Sequence, residues 1–116
     1  MEIMRTTQEN HTIILKINIL GGTIMLVNYY LKKYVDKEAL VRLWAWHPHG
    51  YANLGKYDSR GVMDDVCTVQ EFLNGEHWLS KYKNEVIVQG LDDNDVAPMY
   101  HGAINLVILP EESFNN

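Results

Sequence analysis

With 116 residues, 47% of them hydrophobic, and a net charge of −5, the chain reads as one globular domain with a modest core. The surplus of 15 acidic over 10 basic side chains argues against a sequence-independent nucleic-acid binder, which needs a basic face to release counterions from phosphate. It leaves room for a basic partner surface, including one that normally holds nucleic acid. The only cysteine, Cys67, rules out an intramolecular disulfide and suits a reducing cytoplasm.

The stretch Met1 to Asn10 is polar, with no basic region leading into an apolar run, so no secretory signal is expected. Thr12 to Leu31 is long enough to suggest a membrane span of about 20 residues. Lys16, Asn18, Asn28 and the pair Gly21-Gly22 interrupt it, however. Ile13, Leu15, Ile17 and Ile19 alternate with Lys16 and Asn18 as a half-buried strand would, so no membrane association is expected. Leu20-Gly21-Gly22-Thr23-Ile24-Met25 admits two readings. Two glycine codons followed by Met25 look like a ribosome-binding site translated by mistake, which makes residues 1–24 a non-native leader. Alternatively, Gly21-Gly22 turns a genuine hairpin and residues 1–24 hold an extra strand. Residues 25–112 form the single domain, and the asparagine-rich end, 113–116, is expected to fray.

From Met25 the β-branched and aromatic alternation of Val27, Tyr29, Leu31 and Val35 against Asn28, Tyr30, Lys32 and Tyr34 predicts a strand. A second strand is preferred over Leu40 to Trp46, against a helix capped by Asp36, because Trp44-Ala45-Trp46 runs into the turn His47-Pro48-His49-Gly50. Tyr51 to Tyr57 reads as a short edge strand, and Asp58-Ser59-Arg60-Gly61 as a turn. Thr68-Val69-Gln70-Glu71 has capping-box spacing, with Cys67 and Phe72 placed as a hydrophobic staple. It opens the main helix, about 68–82, on one face of which fall Val69, Phe72, Leu73, Leu79 and Tyr82, with Trp78 beside them. Asn74-Gly75 is a soft point: either a mid-helix glycine or the junction of two short helices. Strands follow at Glu85 to Leu91 and Ala103 to Leu109, joined by an acidic connection that contains Pro98 and Gly102. The predicted fold class is α+β: an antiparallel sheet of four to six strands packed on one main helix.

No catalytic or cofactor motif stands out, and no enzyme is expected. His47, His49 and Cys67 carry suitable atoms for zinc, but their spacing matches no zinc signature. A surface turn holding two histidines explains the same residues. Cys67 is either a nucleophile activated by the following helix terminus or a small buried apolar residue, and the second reading is preferred. Asp92-Asp93-Asn94-Asp95 begins like a calcium loop but lacks the glycine and closing glutamate, which leaves a solvated acidic turn. Trp44 and Trp46 share one face of their strand. If Val41, Leu43 and Ala45 meet the helix, both rings face outward and form a contact patch with Tyr51; if the faces are swapped, both are buried. The residues marked for partner binding are Trp44, Trp46, Tyr51, Asp92, Asp93 and Asp95.

Val41-Arg42-Leu43-Trp44, Glu85-Val86-Ile87-Val88 and Ile104-Asn105-Leu106-Val107-Ile108 resemble, in style, strands of small acidic proteins encoded by bacteriophages and mobile elements of Gram-positive bacteria. The resemblance rests on element order and composition, with no diagnostic motif and no functional residues to transfer. Some of that group are anti-CRISPR proteins, which bind a nuclease complex of the host. The resemblance thus implies a non-enzymatic protein-binding inhibitor in the bacterial cytoplasm, without direct nucleic-acid binding. The alternatives are a zinc-binding protein using His47, His49 and Cys67, or a small-ligand-binding module.

Overall fold

The structure is a computed structural model that describes residues 24–110. All but one residue of the proposed leader, the last two residues of the expected domain (111 and 112) and the tail 113–116 lie outside the described residues. Strand β1 (Leu40–His47) is the axis on which the rest is assembled. Helix α1 (Val27–Tyr34) precedes it, and β2 (Gly50–Asn53), β3 (Lys56–Tyr57), β4 (Met63–Asp64) and β5 (Cys67–Thr68) follow. Next come α2 (Val69–Leu73) and a 3-10 turn, Trp78–Tyr82. Strands β6 (Ile87–Leu91) and β7 (Ile104–Ile108) close the domain, with two short 3-10 turns between them.

The class is α+β, as expected, but the sheet is mixed. Its order is β2-β1-β7-β6, and β5 also pairs with β1. Strand β1 runs parallel to β7, with Val41 opposite Ile104 and Ala45 opposite Ile108. A parallel pair needs a long crossover, and residues 48–103 supply it. The clue lay in continuous burial: Val41 to Ala45 and all of Ile104 to Ile108 are buried, as strands covered on both faces must be. Strands β3 and β4 form a separate two-stranded ribbon.

Residues 27–34 form a helix where alternation predicted a strand. Val27, Tyr30 and Leu31, at helical spacing, are fully buried, while Tyr29, Lys32 and Lys33 face solvent. Burying that apolar stripe outweighs the β preference of its residues. The helix lacks a side-chain N-cap; carbonyls of Glu85 and Lys83 accept from the amides of Val27 and Asn28 at 3.0 and 2.8 Å instead.

The main helix is two pieces. Thr68 and Glu71 form the capping box reciprocally, with the Glu71 amide on the Thr68 hydroxyl at 3.1 Å. After Leu73 the chain stops in a Schellman turn: the amides of Gly75 and Glu76 reach the carbonyls of Phe72 and Glu71, and Gly75 takes φ +73°. His77 then caps the 3-10 turn by accepting from the Leu79 amide.

Two cores result. Val41, Leu43, Leu106 and Ile108 meet Tyr30, Leu31, Phe72 and Leu79 on the helical face of the sheet. Full burial of Phe72 alone contributes about 1.5–3 kcal/mol. On the other face Trp44, Leu91 and Val107 are covered by the segment 92–103, with Val96 and Tyr100 packed against them. Among the described residues no helix is long and apolar enough to cross a membrane.

Candidate protein-binding surface

The second face of the sheet is built from positions that β pairing brings together. Trp44 lies opposite Asn53, and Trp46 opposite Tyr51, so all four point to one side. Trp44 is 7% exposed, which corrects the expectation that facing Val41 and Leu43 toward the helices would leave both tryptophans outside. The acidic connection folds back over it: Tyr100 stacks edge-on at 4.9 Å and Tyr51 at 5.6 Å. Its indole N–H donates to Asn105 Oδ1 at 3.0 Å.

Beneath this layer sits a polar centre that sequence reasoning missed. Arg42 Nε donates to Asp65 Oδ2 at 3.0 Å, and both residues are buried. The same guanidinium donates to the Tyr100 carbonyl at 3.0 Å and stands 5.0 Å from that ring's centroid. Asn105 holds the Tyr100 carbonyl as well, and Asn53 Nδ2 donates to Asp65 at 2.7 Å. A buried charge pair is tolerated only when its remaining hydrogen-bonding positions are filled, and here they anchor the overlying segment. The signal available in the sequence was Arg42 and Asn105, polar residues inside otherwise apolar strands.

On top of this support the structure brings together most of the expected binding residues. Trp46 and Tyr51 are half-buried at the edge of the second core. The Tyr51 hydroxyl donates to the Asp95 carbonyl at 3.3 Å, tying the β1–β2 hairpin to the acidic turn. Within that turn Asp92 accepts from the Asn94 amide and Asp95 from the Asp92 amide, so both carboxylates hold its shape. The exposed Asp93 makes no such bond among the described residues. Beyond it, Met99 stands 74% exposed on the next 3-10 turn. The result is a pair of half-buried rings tied to a braced acidic loop on which the Asp93 carboxylate is uncommitted.

The zinc constellation is not assembled. His47 and His49 sit on the exposed β1–β2 turn, where His47 Nδ1 already accepts from the His49 amide at 3.2 Å. Cys67 pairs opposite Val41, six strand residues away, or about 20 Å along β1. Among the described residues no three His, Cys, Asp or Glu side chains are placed to hold one metal ion. Burial, followed by the charges of Glu71 and Asp64, pushes the Cys67 thiol up to about 12, opposite to what a nucleophile needs. His77 and Asp64, 2.8 Å apart, look like a catalytic acid–base pair. Both ring nitrogens are occupied, because Nδ1 accepts from the Leu79 amide, so the pair braces β4 against the 3-10 turn.

Comparison with protein-family models, with curated proteins and with solved structures finds no match to this chain.

Proposed function

We propose that the protein is a non-enzymatic binding protein that docks a basic protein surface through Trp46, Tyr51, Asp93 and Met99. The carrying observation is the convergence of half-buried aromatic rings with the acidic turn, joined by the Tyr51 to Asp95 hydrogen bond. Aromatic anchors at an apolar centre supply contact energy, and a nearby free carboxylate selects a cationic partner. A net charge of −5 favours a partner that normally grips nucleic acid. This agrees with the phage or mobile-element style of the sequence and with inhibition of a CRISPR-type nuclease in the bacterial cytoplasm.

The test is direct binding to purified Cas effector complexes of Gram-positive bacteria, with and without guide RNA, at low and high salt. Salt-sensitive binding that is lost in W46A and in D93K supports the reading. Binding to none of the effectors removes the nuclease partner, and binding unaffected by both substitutions removes this surface.

A further inference from the structure

A second site lies on the opposite side of the molecule. Helices α1 and α2 border an open cleft of about 300 Å³, lined by Asn28, Lys32, Lys37, Gln70, Leu73 and Asn74. Its walls are fixed by the backbone, since the amides of Gln70 and Val69 donate to the carbonyls of Lys37 and Ala39 at 3.0 and 2.9 Å. Asn28 and Lys32 are one helical turn apart on α1, and Gln70, Leu73 and Asn74 share a face at the end of α2.

The charge in this cleft runs against that of the whole chain. No acidic side chain lines it among the described residues. Among the described residues neither the Lys32 nor the Lys37 ammonium is hydrogen-bonded or ion-paired, whereas neighbouring Lys33 is held by the Tyr29 hydroxyl at 2.8 Å and does not line the cleft. Of the nearest carboxylates in sequence on the α2 side, Glu71 is engaged in the capping box, and Glu76 accepts from the side-chain amide of Asn74 at the edge of the cleft. The side-chain amides of Asn28 and Gln70 make no hydrogen bond among the described residues, so they add donors beside the two ammoniums.

We propose that this cleft binds a small phosphate monoester. Two lysines act on a dianionic phosphate as compact point charges, and carboxamide N–H groups take its remaining oxygens. Leu73 is the only apolar side chain in the lining among the described residues, and it faces the ligand's carbon body. The volume stands at the small end of ligand clefts, which suits a phosphorylated monosaccharide.

The test is a titration of the full chain with ribose 5-phosphate, followed by calorimetry and by the NMR signals of the Asn28, Gln70 and Asn74 side-chain amides. Ribose and succinate serve as probes of the sugar and of charge without phosphate. The expected result is saturable binding of ribose 5-phosphate that moves those amides, weakened about tenfold or more in K32Q/K37Q and retained in K56Q/K81Q. No saturable binding, or equal weakening in both double variants, overturns the site. Succinate binding as tightly as ribose 5-phosphate overturns the phosphate assignment. Both double variants alter exposed side chains, and their far-UV spectra establish that they fold.

Discussion

Arg42 and Asp65 are 23 positions apart in the chain, yet they meet at 3.0 Å inside the protein, under a loop that neither belongs to. Removing one partner strands the other charge away from water, so R42M or D65L alone is expected to lower unfolding free energy by about 3–5 kcal/mol. Replacing both with apolar residues, as in R42M/D65L, costs less than the two single losses added together. Urea denaturation of the four proteins in a double-mutant cycle measures the difference.

The acidic turn yields a prediction about charge. Asp92 and Asp95 hold the backbone of the turn, whereas Asp93 does not. D93K is expected to weaken association with a basic partner and to flatten its salt dependence, with the melting temperature unchanged. D92K and D95K lower the melting temperature as well, so thermal melts beside binding curves separate shape from charge.

At α2, T68A removes the cap and G75A forces an alanine into φ +73°; each is expected to cost about 1 kcal/mol. The amide of Thr68, then its hydroxyl, holds the Glu71 carboxyl below its ordinary range. A depressed carboxylate contributes stability above the unfolded value of about 4.3 and loses it as pH falls through the folded value. Denaturation in mild acid should therefore weaken the wild type more than E71Q, which keeps the capping geometry without the charge.

Cys67 shifts in the other sense. Its unfolded thiol ionises near pH 8.5, as a typical cysteine does, while burial keeps the folded one protonated to about 12. The unfolded state therefore binds fewer protons as pH rises past about 8.5, and stability falls from there upward. C67A is expected to show a shallower loss between about pH 8.5 and 10, the range below ordinary tyrosine ionisation. A thiol reagent at pH 8 should label the wild type only after unfolding.

Sequence patterns predict the structure where one short-range interaction decides it. The capping box at Thr68 and Glu71, the β1–β2 turn at His47 to Gly50, and the break at Asn74-Gly75 all follow from side chains within a few residues of each other. The errors arose where distant parts of the chain decide. Val27 to Tyr34 satisfies both a two-residue and a helical period, and only packing against the sheet selects the helix. The parallel pairing of β1 with β7 depends on partners about 60 residues apart, beyond any local pattern. For the candidate surface, Trp46, Tyr51 and the acidic turn were identifiable as residue types, but their meeting was not. That meeting requires the segment 92–103 to fold over Trp44, and its anchors, Arg42 and Asn105, look like interruptions when read in isolation.

The Tyr100 carbonyl is gripped by both Arg42 and Asn105, and this has a kinetic consequence. A loop already fastened from below forfeits little conformational entropy when a partner settles on it. Its docking should proceed nearly as a rigid body, with association rates set by electrostatic steering and insensitive to loop ordering.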